Sequence, residues 1–267
     1  MQKALKTSTD HLPSALEHFD RIADRIKGRH FILCLDYDGT LTPIVQNHKD
    51  AIITGEMREK VHGISEKIPV AIISGRDISF IKEHVGLPEA YYAGSHGFEI
   101  IGPAGFHHEL EEAERTMPIM DRVQQELSEA FPRSTGVELE RKKFALAVHF
   151  RNADEAMVPL VRAKVAQVLD RYRELRSGKG KMVIELKPAL DWHKGRALEV
   201  IVQQLDPKGE AVVAYIGDDV TDEDAFRAIG KGFGILVGAH EEPTSADHGL
   251  KDVAEVGEFL GRLKDLF

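Results

Sequence analysis

Unbroken apolar runs and longer amphipathic stretches alternate along this chain. Phe31-Ile-Leu-Cys-Leu35, Val70-Ala-Ile-Ile73 and Val212-Val-Ala-Tyr-Ile216 carry no charged position, the pattern of strands buried on both faces. Between them, apolar residues recur every three or four positions. Leu16, Phe19, Ile22, Ala23 and Ile26 predict a first helix, with Ser14 and Glu17 placed as a capping box and Gly28 closing it. The same reading predicts strands at 31–36, 70–74, 91–94, 212–217 and 234–238. Helices are expected at 55–67, 77–85, 195–205 and 222–229. Apolar strands separated by amphipathic helices predict an α/β fold around a parallel sheet with both faces covered.

The middle of the chain follows another pattern. A helical stretch from about 109 to 130, with a kink or break at Pro118, precedes Gly136-Val-Glu-Leu-Glu140 and Phe144-Ala-Leu-Ala-Val-His149-Phe150. These read as a hairpin through Arg141-Lys-Lys143. A second long helix, about 154–174, leads to the strand Lys181-Met-Val-Ile-Glu185-Leu-Lys187, with Ser177-Gly-Lys-Gly180 as a turn before it. Adjacent antiparallel strands with long helices predict a separate α+β lobe inserted in the sheet. The expected division is core 1–107, insert 108–188 and core 189–267.

A length of 267 residues allows a sizeable core, and 42% hydrophobic with 30% charged residues is ordinary globular composition. No apolar run approaches the roughly 18 residues needed to cross a bilayer. Met1-Gln-Lys-Ala-Leu-Lys-Thr-Ser8 is followed by Asp10-His-Leu-Pro13 rather than an apolar segment, so no secretory leader is expected. Cys34 is the sole cysteine and reads as a small buried hydrophobe. A cytoplasmic setting follows as the default. A net charge of −9 argues against nucleic acid or a membrane surface as partner, but leaves room for a small anion held by local cations.

Polar clusters stand just past the apolar strands, at the edge where open α/β sheets bind ligands. Asp36-Tyr-Asp38-Gly-Thr40 places two carboxylates two residues apart, a pair suited to nucleophilic attack, proton transfer or cation binding. Ser74-Gly75-Arg76 opens a helix with a hydroxyl and backbone N–H groups that suit phosphate oxygens. Lys194, also at a helix start, can offset phosphoryl charge. Asp218, Asp219 and Asp222 supply hard oxygen ligands of the kind Mg²⁺ prefers. Each has a blander reading taken alone: a turn, a cap or a solvated side chain.

As a set, in this order, the clusters resemble the four motifs of haloacid dehalogenase-like phosphohydrolases. The resemblance implies a Rossmann-like parallel-sheet core with an inserted α+β cap domain. It also implies a mechanism in which Asp36 attacks phosphorus, Asp38 handles protons, and Ser74, Gly75, Arg76 and Lys194 hold the phosphoryl oxygens. Mg²⁺ would bind Asp36, the Asp38 carbonyl and Asp218, with Asp219 or Asp222 in support. Asp36 to Ile44, Ile73 to Arg76, Gly94-Ser-His-Gly97 with Glu99-Ile, Glu140-Arg-Lys142, Val148-His-Phe-Arg151, Gly180 to Glu185, Lys194-Gly195 and Gly217 to Asp224 are together similar to the pattern of trehalose-6-phosphate phosphatases. That likeness implies hydrolysis of trehalose 6-phosphate, with Glu140, Lys142, Arg151 and Glu185 on the sugar and a functional pairing with a trehalose-phosphate synthase. His193 stands where the family pattern has serine.

Rival readings are a phosphatase for sucrose phosphate or mannosylphosphoglycerate, a phosphomutase, and, outside catalysis, a receiver-like or regulatory phosphoacceptor domain. A receiver needs clustered acids, a hydroxyl and a lysine. It needs neither Asp38 as a proton donor nor an inserted lobe.

Overall fold

The computed structural model describes residues 12–45, 50–180 and 182–267. They form two compact units, Leu12–His108 with Trp192–Phe267, and Glu109–Asp191. The first unit begins with α1 (Phe19–Ile26), β1 (Phe31–Leu35), α2 (Gly55–Ser65), β2 (Val70–Ile73), α3 (Ile78–Val85), β3 (Tyr91–Gly94), β4 (Glu99–Ile101) and β5 (His107–Glu109). The second holds α4 (Glu111–Glu114), α5 (Met117–Ala130), β6 (Glu138–Arg141), β7 (Leu146–His149), α6 (Met157–Arg171), β8 (Leu175–Gly180) and β9 (Val183–Pro188). The chain then returns through α7 (Lys194–Leu205), β10 (Val212–Gly217), α8 (Glu223–Ala228), β11 (Gly232–Val237), β12 (His248–Leu250) and α9 (Val253–Leu266).

The core sheet runs β12-β11-β10-β1-β2-β3-β4-β5, parallel from β12 to β3, with β4 antiparallel to β3. Strand alternation divides each apolar run between two hydrophobic cores. Phe31, Leu33, Leu35, Val212, Ala214 and Ile216 join the side chains of α2 and α9 on one face. Ile32, Cys34, Val213 and Tyr215 join those of α7 and α8 on the other. Because β1 lies between β10 and β2 in parallel register, Leu35, Ile72 and Ile216 stand side by side, and the chain leaves all three strands at the same edge.

Three local expectations change. The chain at Ser14 is not yet helical: Ala15 N–H donates to the Gly249 carbonyl, and Gly249 N–H to Pro13, so this backbone pairs beside β12. The Ser14 hydroxyl still accepts from Glu17 N–H at 3.3 Å, but within a turn, and α1 starts at Phe19. The 109–130 stretch breaks into α4 and α5, with Pro118 in the first turn of α5, where a missing N–H costs nothing. The expected turn at Ser177–Gly180 belongs instead to β8, the edge of a second sheet ordered β6-β7-β9-β8, paired with β9 over its whole length. Lys181, in the predicted strand 181–187, lies outside the described residues, as does the basic start of the chain.

In the inserted unit, Leu139, Leu146, Val148, Ile184 and Leu186 occupy one face of the second sheet. They pack with Met120, Val123 and Leu127 of α5 and Val161, Val165 and Val168 of α6. Its other face carries Glu140, Ala147, His149 and Glu185.

Candidate active site

Asp36 is the first residue past β1, its N–H donating to the Ile216 carbonyl at 2.9 Å, so it is held to β10 even after the strand ends. The next residues fold into a tight loop in which Leu41 and Thr42 N–H both donate to the Tyr37 carbonyl and Gly39 N–H donates to Thr42 at 2.7 Å. The buried Tyr37 hydroxyl anchors the loop by donating to Ala51 O at 2.9 Å. Gly39 has a φ of 77°, and a β-carbon there would collide with the Asp218 carboxylate. Glycine is thus required twice over, by backbone conformation and by proximity to the second acid cluster.

Lys194 is the first residue of α7 and is only 3% exposed. Its Nζ lies 2.9 Å from Asp36 Oδ1 and 2.7 Å from Asp222 Oδ1. Burial opposes its charge, but Asp222 and Asp36 outweigh burial and keep the ammonium protonated well beyond the ordinary lysine range. Burial pushes the Asp36 carboxyl well above its usual range, against the pull of Lys194. Asp218 is pushed up to about 7, first by burial and then by the neighbouring Asp222.

Asp222 is fully buried. Its Oδ1 accepts from Lys194 and, at 2.6 Å, from the Tyr215 hydroxyl. Its Oδ2 accepts from the N–H groups of Asp218 and Asp219 at 3.1 and 3.0 Å. Four donors fill its acceptor positions, so Asp222 braces Lys194 and the acid loop. Asp219 is exposed and turned away, its carboxylate accepting from Val220 N–H and the Thr221 hydroxyl at the start of the 3₁₀ turn Val220–Asp222. Tyr215 was not among the candidates. Its signal in the sequence is a phenol in an otherwise apolar strand.

Carboxylate oxygens of Asp36, Asp218 and Asp222 lie within 4.8 Å of one another, and Asp218 Oδ1 is buried without a hydrogen-bond donor. Three acids against one lysine leave a negative excess in a buried site. An all-oxygen set with an orphaned ligand atom fits a hard divalent cation.

Past β2, Ser74 is buried and its Oγ accepts from Arg76 N–H at 3.2 Å. The Arg76 guanidinium forks onto Asp38, Nε to Oδ2 at 2.7 Å and Nη2 to Oδ1 at 2.5 Å, so the arginine expected on phosphate meets the second acid instead. Ser95 and His96 hold left-handed backbone angles, φ 51° and 59°, while their N–H groups donate to Arg76 O and Ser74 O, both at 2.8 Å. The His96 ring covers Gly75, where a β-carbon would lie 2.9 Å from His96 Cε1.

The other predicted residues belong to the inserted unit. Glu140 and Glu185 share one row of its sheet, each paired across to Ala147, whose methyl leaves space between them. Glu140 Oε2 is 2.8 Å from His149 Nε2, and Lys142 Nζ is 2.8 Å from Glu185 Oε1. These pairs are partly exposed and offer both donors and acceptors. β7 ends at His149, and Arg151 lies in the following turn, beyond the reach of strand alternation.

The fold matches that of a haloacid dehalogenase-like hydrolase from Bacteroides thetaiotaomicron, with a TM-score of 0.61 at 17% identity over 88% of this chain and all of that one. The C-terminal domain of a C. albicans trehalose-6-phosphate phosphatase superposes with a TM-score of 0.76 at 25% identity, covering 96% of this chain and 100% of the other. The fold is therefore that of the haloacid dehalogenase-like hydrolases. The trehalose-phosphatase family model matches residues 34–254, and trehalose-phosphate phosphatase B of Arabidopsis thaliana is 40% identical over 264 residues, 94% of this chain and 71% of the plant protein. The chain belongs to the trehalose-phosphatase family, and its activity is that of a phosphoric monoester hydrolase, a trehalose-phosphatase. Among the described residues no helix is long and apolar enough to cross a membrane.

Proposed function

We propose that this enzyme hydrolyses trehalose 6-phosphate through a phosphorylated Asp36, with Mg²⁺ as the metal. The observation that carries this reading is the buried Asp36–Lys194–Asp222 array, set beside the orphaned oxygen of Asp218. Lys194 holds Oδ1 of Asp36 and leaves the other oxygen to attack phosphorus. As the Asp36–phosphorus bond forms and the bond to the sugar oxygen breaks, Asp38 gives that oxygen a proton. Asp38 then takes a proton from water, whose oxygen attacks phosphorus, releasing inorganic phosphate and restoring Asp36. Ser74, Gly75 N–H and Lys194 hold the phosphoryl oxygens.

Asp36, the Asp38 carbonyl and Asp218 would bind the Mg²⁺. It supplies positive charge that keeps Asp36 ionised and offsets the charge on phosphate. Asp222 contributes by holding Lys194 and the acid loop, and Asp219 by capping. In the insert, Glu140, Lys142, Glu185 and, from the turn, Arg151 bind sugar hydroxyls. This places the enzyme after a trehalose-phosphate synthase, in the cytoplasm.

The test is phosphate release from trehalose 6-phosphate, sucrose 6-phosphate, glucose 6-phosphate and p-nitrophenyl phosphate, with Mg²⁺ and with chelator. Preferential Mg²⁺-dependent release from trehalose 6-phosphate is expected. Equal rates on all four sugar and aryl esters would remove the substrate assignment, and full activity in chelator would remove the metal.

A further inference from the structure

Phe80 has no part in the reaction as described, yet its ring meets both Tyr37, the residue between the two acids, and the arginine that grips Asp38. The Arg76 guanidinium sits over the Phe80 ring, 4.7 Å from its centroid. Behind the ring, Tyr37 meets it edge-on at 5.8 Å and 89°, and His84, one turn further along α3, stacks on it at 4.1 Å and 22°. Tyr37 is the residue between Asp36 and Asp38 and is pinned by its hydroxyl to Ala51. His84 is fixed by the contact of its Nδ1 with the Phe80 carbonyl at 2.8 Å. A row of contacts from His84 through Phe80 to Arg76 thus ends in the two-pronged grip on Asp38.

A guanidinium over a ring face is held there, because moving it away forfeits the cation–π contact. A two-pronged bond in turn fixes the carboxylate it grips. We propose that Phe80 is a positioning residue for proton transfer by Asp38: it holds the Arg76 fork in place, and the fork orients the Asp38 carboxylate. Arg76 accordingly serves the proton step more than the grip on phosphate. This inference rests on the reading of Asp38 as the group that protonates the departing sugar.

Proton delivery matters for a sugar alkoxide and little for p-nitrophenolate, which leaves unprotonated. Phe80→Leu is therefore expected to lower kcat/KM on trehalose 6-phosphate about tenfold while changing that on p-nitrophenyl phosphate less than about threefold. Phe80→Tyr, which keeps the ring, should restore the wild-type ratio of the two substrates. Arg76→Lys, which leaves the ring and removes the fork, should reproduce the Phe80→Leu pattern. In an Asp38→Asn background, Phe80→Leu should cost nothing further on trehalose 6-phosphate. Equal losses on both substrates from Phe80→Leu, or its full effect persisting without Asp38, would overturn the proposal in favour of a packing role. Failure of the premise has its own signature, Asp38→Asn alone depressing kcat/KM on both substrates alike, and it would take the proposal with it.

Discussion

The two charged arrays of this protein use the same residue types under different conditions. Around Lys194, the carboxylates of Asp36 and Asp222 are almost fully buried, and every oxygen of Asp222 has its donor. On the insert's second sheet face, Glu140 meets His149 and Lys142 meets Glu185 through side chains 18 to 30% exposed. Removing water raises both the strength of each charged contact and the cost of leaving one unmade, so the first array has one arrangement with high stakes. The second keeps water as an alternative partner, which suits the sugar-binding role proposed for it.

The comparison is broken most severely at the proposed nucleophile. Asp36→Asn replaces its carboxylate with an amide, a poor nucleophile, and should depress turnover on the order of 10⁴-fold or more while the protein still folds. Substantial Mg²⁺-dependent phosphate release by that variant would show that another group attacks. Next comes the brace. Asp222→Ala strips Lys194 of one buried partner and should cost about 3–5 kcal/mol of stability, visible as a lowered midpoint in thermal or denaturant unfolding. Glu185→Ala, the matching change in the insert, should cost no more than about 1 kcal/mol. Similar losses from the two would erase the distinction drawn here.

For the insert the larger expected effect is on function. Glu140→Ala, Lys142→Ala and Glu185→Ala should each lower kcat/KM on trehalose 6-phosphate about ten- to hundredfold, by removal of hydrogen bonds to charged groups worth about 1.5–3 kcal/mol each. Activity on p-nitrophenyl phosphate, which has no sugar, should stay near wild type. Parallel losses would mean that these residues support the lobe's own structure.

The smallest effect concerns protons and metal. Asp218 is raised to about 7 in the folded, metal-free site, against an ordinary carboxylate value near 4 when unfolded. A raised acid favours folding below its unfolded pKa, and that contribution is lost as pH climbs through the folded pKa, here between about pH 4 and pH 7. A bound cation reverses the cost by stabilising the ionised form. Added Mg²⁺ should therefore raise the Tm of wild-type enzyme by a few degrees more at about pH 7.5 than at about pH 5.5, a shift that an Asp218→Asn variant should lack. An equal rise at both pH values would separate metal binding from this carboxylate.

The features legible in the sequence are those carried by short-range pattern. Phe31–Leu35 and Val212–Gly217 read as doubly buried strands because no charge interrupts them, and Asp36 and Asp218 stand out because the change from apolar to acidic takes one residue. Ser177–Gly180 misled for the same reason. Its glycines signal a turn locally, while four register pairs with β9 make it strand, an outcome set by a partner that composition does not reveal. Ser14 and Glu17 have the spacing of a capping box, but Gly249, far along the chain, claims the adjoining backbone for β pairing.

By itself, then, the sequence determined a parallel sheet with acids, a hydroxyl and a lysine at one edge, since strand period and the burial of apolar side chains act between neighbours. Only the tertiary structure decided what each charge does: that Asp222 is saturated and braces, that Asp218 keeps an unclaimed oxygen, and that Arg76 turns to Asp38. Those assignments depend on which carboxylate has lost its water and which donors lie within 3 Å of it. Both are set by segments that meet when β1, β2 and β10 align, and spacing along the chain records neither.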